Sequence, residues 1–438
     1  MPTGPRFADL GHWLEWQQAL HPGVIDLGLV RVGRVLARTG WQRPRCPVIT
    51  VAGTNGKGSC VALLAAMLKA SGRRVGTFTS PHLVEYTERI RIDGARVSEA
   101  SLVAAFERIA DALAPETLTY FEFNTLAALL VFETAGLDAL VLEVGMGGRL
   151  DAVNLVDADV AVIVSVGLDH MEWLGPDVES IGREKAGILR RGRPAILGMP
   201  RPPQSMLQAA AEVGADLRLR GRDFDGVERD DGTWTYRDRD GQLEALPAPA
   251  LPGAVQVGNA AVALAALRAL DGRLPLERSA LEAGLRNVRL PGRFQRIVDR
   301  RGFEWVLDVA HNPDSARTLA ANLARYPVAG RTIAVCGMLS DKDVASVVAI
   351  LREQVHTWIA ADTEGSRGLS AAALAARALA GGSSMVPGGG VADAMRRAAS
   401  EASPGDRIVV FGSFHTVGPA LTHLVATLPP GESARLSL

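Results

Sequence analysis

The chain has 438 residues, 47 of them basic and 48 acidic, and 47% of its side chains are apolar. That length exceeds one ordinary core, so two or three domains are expected. The balanced charge argues against a general field drawing nucleic acid or an acidic membrane. Cys46, Cys60 and Cys336 are odd in number, far apart and without a CxxC pair, so they read as small buried thiols rather than a disulfide framework or zinc knuckle. The apolar stretches Ala62–Met67 and Leu126–Phe132 fall far short of the roughly 20 residues of a membrane helix. The N-terminus lacks the basic-then-apolar pattern of a signal peptide. A cytoplasmic protein with no membrane partner is therefore expected.

In chain order, VITVA at 48–52 predicts a buried strand. GTNGKGS follows, then the helix-like run VALLAAMLKASG, with Gly72 as its terminator. Further strands are predicted at 75–79, 139–144, 160–166 and 195–198, with helices near 98–113 and 124–135. Such alternation implies parallel pairing and a sheet covered on both faces. Residues 218–250 are polar, with turn signals at Asp231-Gly232 and Asp240-Gly241, and predict a small antiparallel insertion. The helix-like run QVGNAAVALAALRAL comes next. A second alternation begins near 297, with strands at 304–309, 332–336, 357–360 and 407–411 and helices at 314–325 and 370–380. Pro291 and Gly292 suit a hinge, and the boundary is placed at 296, giving domains 1–296 and 297–438. The glycines at 388–390 read as a loop.

The strongest local signal is Gly53-Thr54-Asn55-Gly56-Lys57-Gly58-Ser59, set between a strand and a helix. Glycines let successive backbone N–H groups turn towards one anion, and a helix N-terminus adds partial positive charge. Lys57 would meet the outer phosphates as a compact cation. The strict GxxxxGK[ST] pattern fails twice. Val51 stands at the first glycine position, and Gly58 replaces the hydroxyl after the lysine. A plain glycine-rich turn is the alternative. Magnesium needs hard oxygen ligands, so some must come from elsewhere.

Ser80, Glu143 and His170 each lie at or just after the end of a different predicted strand, the edge where ligands of open α/β sheets gather. Each also has a structural alternative: Ser80 as a turn cap before Pro81, Glu143 as a partner of Arg149, His170 as a turn cap beside Asp169.

These residues belong to an ordered series: VAGTNGKGS (51–59), TSPHL (79–83), YFE (120–122), LEVGMGGRLDAVN (142–154), LDHMEWLG (168–175), SIGREKAGI (180–188), GNA (258–260), LPGRFQ (290–295), LDVAHNP (307–313) and GSFHTVG (412–418). The series spans almost the whole chain. It resembles the bacterial bifunctional dihydrofolate synthase/folylpolyglutamate synthases of the Mur ligase superfamily. The resemblance implies an α/β fold with an N-terminal P-loop ATPase domain, a C-terminal Rossmann-like α/β domain and an active cleft between them. It assigns ATP phosphates to the loop, and magnesium to Ser80, Glu143 and His170, with a monovalent cation as a further candidate. Asn259, Arg293 and Asp308 match ATP contacts. Asp26, Leu27, Gly28 and Leu29, with Tyr120, Phe121, Glu122, Leu150, Asp151 and Ala152, match pterin-side contacts. Lys185 matches a lysine that is carbamylated in the family; on the residues alone it reads as an ordinary lysine pairing with a phosphate or a glutamate.

The implied chemistry joins L-glutamate to dihydropteroate or a reduced folate through an acyl phosphate. His311 is the candidate for orienting or deprotonating the glutamate amine, and Ser413 for holding glutamate. A capping turn packed by Pro313 and a helix N-cap are the respective alternatives. Competing readings are folylpolyglutamate synthase activity alone, a peptidoglycan-precursor Mur ligase, and a nucleotide-binding regulatory module. Only 52 residues precede Gly53, which weighs against the nucleotide-sugar domain expected of the second. A monomer is expected.

Overall fold

The computed structural model describes residues 4–270, 272–365 and 367–427. The chain divides into two units. One gathers residues up to Pro81, Tyr86–Ala250 and Val257–Val288; the other gathers His82–Glu85, Leu251–Gln256 and the chain from Arg289 onward.

The first unit opens with α1 (Leu10–Ala19) and α2 (Val30–Arg38), followed by β1 (Val48–Ala52), α3 (Lys57–Ala70), β2 (Val75–Phe78), β3 (Ile90–Ile92), β4 (Ala95–Arg96), α4 (Glu99–Leu113) and α5 (Tyr120–Glu133). It continues with β5 (Ala139–Glu143), β6 (Val160–Ile163), α6 (Met171–Leu174), α7 (Val178–Ala186), β7 (Pro194–Leu197), α8 (Gln204–Val213) and β8 (Asp216–Leu219). These strands form one sheet in the order β4-β3-β2-β5-β1-β6-β7-β8. From β2 to β8 all neighbours are parallel, and β3 and β4 add an antiparallel edge. β1 is buried at all five positions, so its unbroken VITVA run faces apolar layers on both sides.

The polar segment forms a separate antiparallel sheet of β9 (Phe224–Glu228), β10 (Thr233–Asp238) and β11 (Gly241–Pro247), turning at the two Asp-Gly pairs. The helices α9 (Val255–Arg268) and α10 (Arg278–Asn287) follow.

The second unit contains β12 (Gln295–Val298), β13 (Glu304–Asp308), α11 (Pro313–Arg325), β14 (Thr332–Cys336), α12 (Val344–Leu351), β15 (Thr357–Asp362), α13 (Ala371–Ala378), β16 (Val386–Gly390), α14 (Val391–Glu401), β17 (Arg407–Phe411) and α15 (Phe414–Thr427). Its sheet runs β12-β13-β17-β14-β15-β16, parallel except for β12. Alternate residues feed opposite cores: Ile408 and Val410 enter one, Val409 and Phe411 the other.

Three predicted elements differ. The helix expected from 124 begins at Tyr120, because Thr119 and Glu122 form a reciprocal capping box that fixes its start. The strand expected over 160–166 ends at Ile163, since Ser165 turns to serve the glycine loop. The glycines 388–390, read as a loop, lie in β16, which pairs with β15 at the sheet edge across a register shift. An edge position with a bulge tolerates residues that weaken an interior strand.

Candidate active site

The glycine loop leaves the carboxyl end of β1 and enters α3. Gly56 sits at φ 85°, and a Cβ there would stand 2.8 Å from Val164 Cγ1 and 3.1 Å from Asn259 Oδ1. Only glycine turns the chain so sharply in that space, and the same contact places Asn259 of α9 against the loop. The segment after β6 braces it. Thr54 N–H donates to the Ser165 carbonyl at 3.0 Å, Asn55 N–H donates to Ser165 Oγ at 2.9 Å, and Ser165 Oγ donates to the Asn55 carbonyl at 2.8 Å. Thr54 Oγ1 both donates to the Gly167 carbonyl and accepts from Gly167 N–H. Lys57 Nζ donates to the Gly53 carbonyl at 2.8 Å. Ser59 is buried within α3.

β2, β5 and β6 run parallel to β1, so the residues after them share its carboxyl edge. Glu143 closes β5 and is only 4% exposed. Ser80 N–H donates to Glu143 Oε2 at 3.3 Å, which joins two of the three predicted metal ligands. Arg149, the alternative partner for Glu143, pairs with Glu184 at 2.8 Å. His170 has a left-handed backbone at φ 52°, and its N–H donates to Asp169 Oδ1 at 3.0 Å. Among the described residues no three His, Cys, Asp or Glu side chains gather to hold a metal. The hydroxyl and carboxylate of Ser80 and Glu143 suit a hard divalent ion whose shell is completed by phosphate and water oxygens.

Lys185 lies in α7 and is 3% exposed. Burial pushes its ammonium down to about 7, Lys57 pushes the same way, and Asp169 and Asp151 oppose. Asp151 accepts from Met146 N–H at 2.8 Å and Val153 N–H at 3.0 Å. Burial nevertheless raises its carboxyl to about 6. The charges of Lys57, Lys185 and Asp151 therefore act on one another.

On the predicted pterin side, the ring of Phe121 lies over Gly145, where a Cβ would meet Phe121 Cζ at 2.5 Å. Phe121 also packs 6.0 Å from Phe78. Tyr120 lies beside the Arg89 guanidinium, 5.4 Å from its ring centre. Leu150 and Ala152 flank Asp151. Asp26 and Glu122 are joined by Arg31, whose Nη2 reaches both Glu122 oxygens at 2.8 and 2.9 Å. Leu27, Gly28 and Leu29 run between Asp26 and α2. The motifs point to neither Arg31 nor Arg89. Arg31 lies in VRVGRVLAR, which carries three arginines and reads as a solvated helix face, so no local signal marks it.

In the second unit, Asp308 closes β13 and accepts from Phe294 N–H at 2.9 Å and Ala310 N–H at 2.8 Å. Burial raises its carboxyl, against the pull of Arg293. The Arg293 guanidinium sits 5.1 Å from the Phe414 ring centre. His311 Nδ1 stands 2.9 Å from the Val309 carbonyl. A carbonyl only accepts, so Nδ1 carries the proton and Nε2 of the neutral ring keeps its lone pair. Asn312, not His311, caps α11, with Pro313 in the first turn. Ser413 is buried, with its Oγ 2.9 Å from Thr416 Oγ1 and its carbonyl accepting from Thr416 and Val417.

The Mur ligase middle domain family matches residues 51–267, and the Mur ligase glutamate ligase domain matches 292–414. Over 423 residues the chain is 46% identical to the dihydrofolate synthase/folylpolyglutamate synthase of Escherichia coli (strain K12), covering 97% of each chain. The chain belongs to the dihydrofolate synthase/folylpolyglutamate synthase family of Mur ligases. A second member, from Haemophilus influenzae, is 38% identical over 426 residues, covering 93% of this chain and 96% of its own. The solved E. coli FolC in complex with DHPP and ADP superposes with a TM-score of 0.91 at 45% identity, covering 96% of this chain and 99% of its own. A bifunctional folylpolyglutamate synthase/dihydrofolate synthase with Mn, AMPPNP and L-glutamate bound superposes at 0.89 and 45% identity, covering 96% of this chain and all of its own.

Proposed function

We propose that this chain is an ATP-dependent acid–amino-acid ligase that joins L-glutamate to dihydropteroate and adds further glutamates to reduced folates. The braced glycine loop, with Lys57 at the head of α3 and Glu143 on the same sheet edge, carries the reading. Relatives solved with DHPP, ADP, AMPPNP, Mn and L-glutamate supply the substrate classes.

A carboxylate repels nucleophiles and offers oxide as a poor leaving group. Phosphorylation by ATP removes both obstacles and yields an acyl phosphate. The loop amides from Gly56 to Ser59, at the head of α3, and the Lys57 ammonium offset charge on the transferring phosphoryl group. Asn259, Arg293 and Asp308 hold the remainder of the nucleotide. Ser80, Glu143 and His170 hold magnesium, which when bound neutralises phosphate charge; a monovalent cation is an auxiliary candidate.

The glutamate amine must be uncharged to attack. His311 Nε2, left as an acceptor by the Nδ1 bond to Val309, can take its proton or orient it. Ser413 is proposed to help hold glutamate, through contacts that its buried position just before α15 must share with the first turn of that helix. Lys185 is proposed to react with carbon dioxide. A neutral amine adds CO2 and loses a proton to become a carbamate, and the burial that disfavours its ammonium favours this step. Asp26 to Leu29, Tyr120 to Glu122 and Leu150 to Ala152 receive the pterin end of the acceptor. Residues 1–296 are proposed as the ATP-binding domain and 297–438 as the glutamate ligase domain, working as a cytoplasmic monomer.

The test is direct. The protein is incubated with ATP, magnesium and glutamate plus either dihydropteroate or tetrahydrofolate, and products are weighed for increments of one glutamyl unit. Product from tetrahydrofolate alone removes the dihydrofolate synthase half, and product from neither removes the proposal.

A further inference from the structure

The stretch from Asp26 to Leu29 has no regular structure, and the space a Cβ would occupy at Gly28 has nothing within 4 Å. Val24 and Val30, on either side, are 80% and 70% exposed. Little apolar packing therefore holds this stretch, and polar bonds do instead. Arg31 Nη1 donates to Asp26 Oδ2, and Arg31 Nη2 donates to both oxygens of Glu122. His21 Nε2 lies 3.3 Å from Asp26 Oδ2, and its Nδ1 lies 2.7 Å from Thr117 Oγ1. Glu122 is itself anchored, since its Oε2 also accepts from Thr119 N–H at 2.8 Å within the capping box of α5. The fixed point is thus the head of α5, and Arg31 is the clamp that ties the loose stretch to it.

We infer that Arg31 is a positioning residue for acceptor recognition, holding Asp26–Leu29 against the head of α5 so that both sides of the pterin pocket are ordered before the acceptor arrives. The inference rests on the proposal that these two stretches receive the pterin end. The Glu122 side chain is 5% exposed while that of Asp26 is 45% exposed, so one arm of the clamp is buried and stiff and the other reaches solvent. The planar fork of arginine meets both carboxylates at once. Lysine keeps the charge but is a single point donor. Without the clamp, the acceptor itself would have to order the stretch, and that entropy cost falls on acceptor binding rather than on ATP or the chemical step.

The experiment compares full-length wild type, Arg31→Gln and Arg31→Lys, varying dihydropteroate at saturating ATP and glutamate and then varying ATP. For Arg31→Gln, KM for dihydropteroate is expected to rise about ten-fold, with kcat within about two-fold and KM for ATP unchanged. Arg31→Lys should rise about three-fold. An unchanged dihydropteroate KM in both variants overturns the inference, as does a loss of kcat with every KM unmoved, the pattern of a merely structural role. Should Arg31→Gln fail to fold, Arg31→Lys decides on the same criteria. A wild type that ligates neither acceptor overturns the proposed function and this inference with it, whereas an active wild type with unaffected variants overturns the inference alone.

Discussion

Lys57 Nζ donates to the carbonyl oxygen of Gly53 at 2.8 Å, folding the side chain back over the loop from which its helix starts. That bond holds one cation above the amides best placed to meet a phosphate. Lys57→Met keeps the stem and removes the charge. Its kcat/KM is expected to fall about 10²- to 10⁴-fold, with folding stability changed by less than ~1 kcal/mol. Lys57→Arg should not restore activity, because a planar fork cannot occupy the place of a compact ammonium. ATP-dependent ligation and a urea titration read the two quantities. Activity retained in Lys57→Met would remove Lys57 from the phosphate site.

Lys185 links stability to pH. Its ammonium lies at about 7 in the folded chain against an ordinary 10.5. Between those values the unfolded chain binds the extra proton, so stability rises with pH across that window; below about 7 the full penalty of the buried charge remains. Lys185→Met removes the penalty. At pH 6 the variant should be more stable than wild type by about 1–3 kcal/mol while losing activity. Urea midpoints at pH 6 and 9 check it. In bicarbonate the native wild type should also carry roughly 44 Da that the variant lacks. Equal stability at both pH values would show that the buried ammonium is not where the structure puts it.

Gly145 and Phe121 meet on the proposed pterin side, and Gly145→Ala forces a methyl to within 2.5 Å of Phe121 Cζ. The ring must move. The expected cost is about 1–3 kcal/mol, with a rise in KM for the folate acceptor and little change in KM for ATP. Thermal unfolding and acceptor kinetics measure both, and an unshifted acceptor KM would detach Phe121 from the pocket.

His311→Ala should lower kcat about 10²- to 10⁴-fold under saturating substrates. Because Nδ1 is held by the Val309 carbonyl, Nε2 is the atom that faces the amine, and His311→Gln should not restore turnover. Single-turnover and steady-state rates of the variants against wild type check it. Turnover intact in His311→Ala would end the proposed role.

Much of this protein was determined by the sequence alone. Short-range physics suffices for a buried VITVA strand, a glycine loop and the alternation of strands with helices, because each depends on neighbours within one turn or one strand. Ordered motifs carry the family for the same reason: they are contiguous. Local pattern misleads where a cap or an edge intervenes. Tyr120–Glu122 lies inside α5 because Thr119 and Glu122 cap each other, and three glycines sit in a strand because β16 is an edge.

Only the tertiary structure decided which distant residues share a charge environment. Ser80 and Glu143 are 63 residues apart and meet across neighbouring parallel strands. Arg31 finds Glu122 over 91 residues, with nothing in its helix to mark it. Lys185 resembles any lysine in EKAG until burial and the charge of Lys57 bring its ammonium near neutrality. Burial and long-range pairing are properties of the packed chain. A string of residues therefore names the candidates, and packing decides which of them act together.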